Sequence, residues 1–153
     1  MRSAENNTSS FHVKKAHTPA ELDAIIQLRC KILRDPWNQP AETATDQLEQ
    51  SSVNAFIADE QGTAIACGRL QENENKVGQV RFMAVDTNYQ GKGLGKLILN
   101  FLEDEAKQLE LKTVELQARE NALEFYKSCG YVIKEKSFLL WGQIQHYLMD
   151  KKI

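Results

Sequence analysis

Apolar residues recur at helical spacing in two long segments of the chain. In the first, the stretch Thr18-Pro19-Ala20-Glu21 supplies a capping side chain, a proline at the first helical position and an acid at the third. It predicts a helix that ends near Leu33. In the second, an apolar stripe runs over 94–109 and predicts the clearest helix of the chain. Each stripe predicts a helix that packs one face against a core.

Alternating apolar and polar positions predict strands around these helices. The predicted strands cover residues 11–16, 55–59, 63–70, 77–85, 113–117 and 131–133, and a hairpin over 138–149 turns near Gly142. A short helix over 122–128 is stopped by Gly130, and a further short helix is predicted over 42–50. This order predicts an α/β fold in which a mixed sheet carries helices on both faces.

Composition and charge narrow the class of protein. The chain has 153 residues, of which 42% are hydrophobic and 26% charged, and this balance is typical of one globular domain. We expect that domain to cover 11–153 and the polar stretch Met1–Ser10 to form a disordered leader. The net charge of −2 argues against a nucleic-acid partner. No apolar run is long enough for a membrane helix and no signal peptide is evident, so we expect no membrane partner and a cytoplasmic location.

Three cysteines, Cys30, Cys67 and Cys129, are widely spaced and form no CxxC pair. We interpret them as buried or semi-buried structural thiols, and no metal site is expected.

The segment after the strand 77–85 carries the candidate chemistry. Gly91, Gly93 and Gly95 precede the longest predicted helix, where unpaired N–H groups and the helix dipole favour a phosphate. The spacing fits neither a Walker loop nor a dinucleotide fingerprint, which would need glycine where Lys96 stands. A nucleotide-binding regulator is therefore disfavoured. An ordinary glycine-rich turn stays possible from this loop alone.

Three further stretches extend this pattern into a family resemblance. Gln90-Gly91-Lys92-Gly93-Leu94-Gly95 resembles the Gln/Arg-x-x-Gly-x-Gly/Ala signature of GNAT acetyltransferases, and Val80–Asp86 resembles the strand before it. Asn121–Tyr131 resembles the second motif of the family, and Ile144–Lys151 resembles the close of a small uncharacterised branch. The resemblance implies the acyl-CoA N-acyltransferase fold, with a mostly antiparallel sheet of six to seven strands and about four helices.

The resemblance also implies an activity and a site. The chain would move the acetyl group of acetyl-CoA directly to a primary amine, and a small-molecule acceptor is preferred over a protein lysine. The implied coenzyme A contacts are with Met83, Ala84 and Val85 along the pantetheine arm, with Gln90, Gly91, Lys92, Gly93, Leu94, Gly95 and Lys96 at the pyrophosphate, and with Asn121 and Tyr126. A non-catalytic acyl-CoA-binding module is the alternative.

The implied catalytic groups are the Val85 amide, which would steady the thioester oxyanion, and Tyr126, which would donate a proton to the leaving thiolate. His146, Glu72, Glu74 or a water chain could be the general base. Asn121 could instead be a helix N-cap, Tyr126 a core residue and His146 a structural histidine.

Four expectations concern the surroundings of the site. Arg29 either faces the substrate pocket or lays its stem over the core edge with its head in water. The Trp37 loop and the stretch 138–141 are expected to wall the acceptor pocket. The strand-rich C-terminal end could pair in a homodimer.

Overall fold

The computed structural model describes residues 11–153, so the predicted leader Met1–Ser10 lies outside the described residues. The strands are β1 (Lys14–Lys15), β2 (Val53–Ala58), β3 (Ala64–Glu72), β4 (Val77–Val85), β5 (Thr113–Arg119), β6 (Val132–Leu140) and β7 (Ile144–Lys152). The α-helices are α1 (Pro19–Arg29), α2 (Leu94–Gln108) and α3 (Leu123–Ser128). Within residues 11–153 the strands form one sheet in the order β1-β2-β3-β4-β5-β7-β6, in which only the β4–β5 pair is parallel. The predicted mixed, mostly antiparallel sheet is confirmed.

Helix α1 begins as predicted and ends in an unexpected way. Thr18 and Glu21 form a reciprocal capping box, in which each side chain accepts a backbone N–H of the other. Instead of continuing as an α-helix to Leu33, the chain makes a π-helical turn over Cys30–Arg34. A π-turn brings residues five apart onto one side, so Arg29 and Arg34 point the same way.

Two apolar layers hold the helices on opposite faces of the sheet. Helix α2 buries Ile98 and Leu102 in the larger core cluster. Helix α1 buries Ile25 and Leu28 in a second cluster on the other face, with Phe56 of β2. Among the described residues, no helix is long and apolar enough to cross a membrane.

Several predicted boundaries are wrong. The segment 42–50 is not a helix but contains two separate 3₁₀ turns, Ala41–Ala44 and Glu49–Ser51, because its polar groups bond to buried arginines rather than along a helix. The first strand is only two residues long. The predicted strand 131–133 and the first arm of the hairpin predicted over 138–149 are joined in one long strand, β6, which begins at Val132 and ends at Leu140.

Candidate active site

A β-bulge in β4 opens the centre of the sheet. Phe82 and Met83 of β4 face the single residue Gly68 of β3, and Phe82 has a φ of 57°, in the left-handed region. The parallel pairing of β4 with β5 ends at Val80 and Leu116, directly before the bulge. From that point β4 and β5 separate, and the carboxyl end of β4 faces a gap.

The register of β3 and β4 aims the backbone of Val85 into this gap. Asp86 donates its N–H to the Ile65 carbonyl at 2.8 Å, so Ile65 and Asp86 form a hydrogen-bonded pair. Hydrogen-bonded and non-hydrogen-bonded pairs alternate along an antiparallel ladder. The next pair, Ala66 and Val85, is therefore not hydrogen-bonded, and its backbone N–H and C=O groups point away from the partner strand. The Gln90 side-chain amide accordingly reaches the outward carbonyl of Val85 at 3.3 Å. The Val85 N–H therefore faces the gap and is available to a ligand there.

Ala84 differs from Val85 in this respect. Ala84 forms the next pair, with Cys67, so its backbone N–H and C=O face β3. Within the stretch 83–85, the backbone of Ala84 is therefore turned away from the gap, as expected for alternate residues of a strand.

The glycine loop forms an open cradle at the start of α2. Gly91 and Gly93 have φ values of 81° and 82°, and a Cβ built on either would meet no atom within 4 Å. Gly93 caps α2 and offers no capping side chain. The first N–H groups of the helix thus stay available at its positive end, which suits an anion.

The remaining loop residues have different surroundings. Leu94 is buried in the core, and a Cβ on Gly95 would lie 3.2 Å from Cζ of the Phe125 ring, so Gly95 allows helix packing. Lys92 and Lys96 are exposed beside the loop.

A cleft of about 510 Å³ lies at the gap between β4 and β5. Its lining brings together Met83, Tyr126 and His146, three residues that the sequence analysis nominated. The β6–β7 hairpin contributes Phe138 and other apolar side chains of the stretch 138–141, as expected. Trp37, expected to wall the same pocket, is not among the lining residues.

His146 is held as a neutral imidazole with one free nitrogen. Its Nδ1 lies 3.0 Å from the Ile144 carbonyl oxygen, which can only accept, so Nδ1 bears the proton and Nε2 keeps a lone pair. Burial lowers the pKa of His146, which the hydrogen bond to Ile144 opposes and the positive charge of Arg119 reinforces. The ring stacks on Phe138 at 4.5 Å between centroids. This histidine can accept a proton at neutral pH.

Tyr126 is buried at the wall of the cleft with its ring packed edge-on against Phe125 and Tyr131. Burial raises the pKa of its phenol, with a smaller contribution from Cys129. The hydroxyl therefore stays protonated throughout the neutral range, so it cannot serve as the general base, and the raised pKa makes it a weaker acid than an exposed phenol.

Asn121 is exposed, and the N-cap of α3 is Ala122, with no side-chain cap. The alternative that Asn121 caps this helix is wrong, because a 3₁₀ turn over Glu120–Ala122 precedes the helix and moves its start.

The two glutamate candidates for the base lie far from the gap. Glu72 pairs with Gly78 at the other end of the β3–β4 ladder, and Glu74 follows in the turn. Val85 is seven residues further along β4 than Gly78, which corresponds to roughly 23 Å. Of the three named side chains, the structure brings only His146 to the cleft.

Arg29 matches neither of its two expected placements. It is completely buried and donates to both oxygens of Glu49, at 2.7 and 3.1 Å, as well as to Asn54 Oδ1 and the Ala44 carbonyl. Its guanidinium lies 4.4 Å from the centre of the Phe82 ring. Arg29 therefore anchors the segment 41–51 behind the cleft.

Sequence reasoning missed the arginines that line the cleft, which are Arg34, Arg81 and Arg119. They come from the π-turn, from β4 and from the end of β5, and no local motif links them. Sequence analysis could have found Arg119, because this residue lies two positions before the second motif, which begins at Asn121. In residues 11–153 no group of three or more His, Cys, Asp or Glu side chains is arranged to hold a metal ion.

Comparisons with known proteins agree with this geometry. The model of the acetyltransferase (GNAT) family matches residues 22–131. An uncharacterised N-acetyltransferase of Bacillus subtilis, YjcF, is 29% identical over 137 residues, covering 89% of this chain and 96% of the relative.

Solved structures share the same fold. An acyl-CoA N-acyltransferase from Pseudomonas aeruginosa superimposes with a TM-score of 0.77 at 21% identity, covering 92% of this chain and 97% of that one. An aminoglycoside 6'-N-acetyltransferase in complex with coenzyme A gives a TM-score of 0.76 at 15% identity, covering 92% and 96%.

Proposed function

Because the chain belongs to the GNAT acetyltransferase family, we propose that it transfers the acetyl group of acetyl-CoA directly to the primary amine of a small molecule. The main support for this proposal is the gap between β4 and β5 at the bulge. There an outward Val85 N–H lies on β4, while a protonated phenol and a neutral imidazole line the adjoining cleft. Holding both reactants in one cleft supplies much of the rate acceleration.

The chain's own residues divide the binding of the coenzyme. The N–H groups at the start of α2, next to Gly91 and Gly93, would hold the pyrophosphate. The space beside these two glycines is open, and a side chain at either position would extend into it. The backbone of Met83 and Val85 would hold the pantetheine arm as an added strand. An aminoglycoside 6'-N-acetyltransferase of the same fold was solved in complex with coenzyme A, which supports coenzyme A as the ligand.

Three residues would act on protons and charge. His146 Nε2 takes a proton from the acceptor ammonium, directly or through one water, and the amine nitrogen then bonds to the thioester carbon. The Val85 N–H donates to the carbonyl oxygen as negative charge develops on it. As the carbon–sulfur bond breaks, Tyr126 donates its proton to the departing thiolate, which becomes the thiol of coenzyme A. The second proton of the attacking nitrogen passes to the Tyr126 oxygen, directly or through water, so the amide is neutral, and His146 releases its proton to solvent.

The test measures free thiol released from acetyl-CoA across a panel of amines, with calorimetric titration of acetyl-CoA alongside. Gly93→Asp should abolish coenzyme binding, because it places a carboxylate in the phosphate cradle. Gly62→Asp is the matched control: Gly62 has a φ of 84° and equally open surroundings, at the turn between β2 and β3. Tyr126→Phe should retain coenzyme binding and lower kcat by about 10²-fold.

Binding without turnover of any amine would favour the non-catalytic acyl-CoA module. Equal loss of binding in Gly62→Asp and Gly93→Asp would refute the assignment of the cradle.

A further inference from the structure

The cleft between β4 and β5 is lined by an excess of positive charge. Among the described residues, three arginines line the cleft and no aspartate or glutamate does. Arg81 has a carboxylate partner, Asp46, at 3.1 Å. Arg34 and Arg119 have none within ion-pair distance in residues 11–153. Two buried or half-buried positive charges therefore face the cleft without a counter-ion.

Arg34 and Arg119 converge on one point. Both donate to the carbonyl oxygen of Leu33, at 3.1 and 3.3 Å. Arg34 is only 8% exposed and is fixed further by bonds to the hydroxyl and the carbonyl of Thr43. Burial lowers the pKa of the Arg34 guanidinium, and the nearby charge of Arg119 lowers it further. Like charges held this close are stabilised by an anion between them.

Donor capacity remains for such an anion. A guanidinium has five N–H groups, and within residues 11–153 the guanidinium of Arg119 makes a single hydrogen bond, to the Leu33 carbonyl. The planar fork of an arginine matches the two oxygens of a carboxylate.

The position of Arg119 relates this anion site to the reacting amine. Arg119 and His146 are register partners in the β5–β7 pair, so their side chains leave the same face, with Cβ atoms roughly 5 Å apart. A carboxylate on Arg119 would thus hold a nearby amino group within reach of His146. Phe138 and Trp141 on the hairpin supply apolar walls beside it.

Resting on the proposed function, we infer that the acceptor is a primary amine bearing a carboxylate close to the amino group, as an amino acid does, and that Arg34 and Arg119 bind this carboxylate. Polyamines and other amines without an acidic group are disfavoured by the same charges, because no carboxylate of residues 11–153 lines the cleft to pair with a further ammonium group. Arg34 and Arg119 are therefore the residues that determine specificity for the acceptor.

The first experiment measures binding, independently of turnover. With coenzyme A present, the protein is titrated with N-acetyl-L-phenylalanine and with its amide, two product-like probes that differ only in the carboxylate. The acid should bind more tightly by a factor on the order of 10 to 100. Arg119→Gln and Arg34→Gln should each remove most of that preference, while Lys107→Gln, an exposed change on α2, should not. Equal binding of acid and amide, or a preference that survives in both arginine variants, would overturn the inference.

The second experiment compares kcat/KM for L-phenylalanine and phenethylamine, which lacks the carboxylate. The amino acid should be the better acceptor by tenfold or more, and Arg119→Gln should erase the difference through KM while the dissociation constant of acetyl-CoA stays unchanged. Faster turnover of phenethylamine would refute the acceptor class but leave the acetyltransferase assignment intact. Failure to bind acetyl-CoA at all would instead refute the proposed function.

Discussion

The buried ion pair of Arg29 and Glu49 allows a direct test of how strongly Arg29 anchors the segment 41–51. Arg29 is fully buried and Glu49 is 7% exposed, and two hydrogen bonds join them at 2.7 and 3.1 Å. In Arg29→Met the carboxylate would stay buried, left with Thr45 and with Arg69 at 3.5 Å. Breaking a buried pair from one side typically costs about 3–5 kcal/mol in the free energy of unfolding.

The assay is urea or thermal unfolding at pH 7. For a chain of this length that loss corresponds to a Tm lower by roughly 6–20 °C. Gln27→Met, an exposed change on the same helix, should alter the free energy of unfolding by less than about 0.5 kcal/mol. The double variant with Glu49→Gln should be less destabilised than the sum of the single variants, by about 1–3 kcal/mol.

The pH dependence supplies a second signature. Burial raises the pKa of Glu49, but the hydrogen bonds and charge of Arg29 outweigh burial and hold that pKa below its usual value. In the wild type, this carboxylate contributes stability above its unfolded pKa, which is lost as pH falls through the lowered folded pKa. In Arg29→Met we expect burial to raise the pKa of Glu49 above its unfolded value. The carboxylate then destabilises the folded state at pH 7, and this destabilisation decreases as pH falls. The gap in stability between the two proteins should therefore narrow from pH 7 towards about pH 4. A loss below about 1 kcal/mol at pH 7, or a gap that widens in acid, would refute this reasoning.

Three other outcomes are expected. Since burial lowers the pKa of His146, the acid limb of the kcat/KM profile should lie below the ordinary histidine pKa of about 6.5. His146→Gln should lower kcat by about 10²-fold and remove that limb, and an unchanged profile would eliminate His146 as the base. In Gly68→Ala the new Cβ would lie 2.5 Å from Sδ of Met83 opposite the bulge, so chemical denaturation should show a loss of about 1–3 kcal/mol; wild-type stability would mean that the bulge yields freely. Complete burial raises the pKa of the Cys67 thiol to about 11, so a disulfide reagent at pH 8 should label Cys129 but not Cys67 in the folded protein, as mass mapping of the labelled peptides would show.

Local sequence was sufficient where a few neighbouring residues decide the structure. The capping box of Thr18 and Glu21 fixes the start of α1, because both partners lie within one helical turn. The apolar stripe of α2 fixes which face is buried. The positive φ values of Gly91 and Gly93 explain the glycines at the phosphate cradle. The sequence alone therefore determined where α1 begins, which face of α2 is buried, and the glycine loop on which part of the family resemblance rests.

The tertiary structure decided the features that depend on residues distant in sequence. The bulge at Phe82 places Val80 and Ala84 in cores on opposite faces, although an even spacing would give them one face in a regular strand. The position of the proton on His146 follows from the Ile144 carbonyl in the same strand, β7. Arg119, which faces His146 in the sheet, belongs to a different strand, β5.

The charge of the cleft shows the same division most clearly. Arg34 and Arg119 are separated by 85 residues in the chain, and they meet only because the π-turn and the end of β5 reach the same carbonyl. The sequence determined that arginines were present and that the net charge was close to zero. Their convergence without a carboxylate partner is a property of the folded chain, since unpaired charge depends on distances that no linear pattern records.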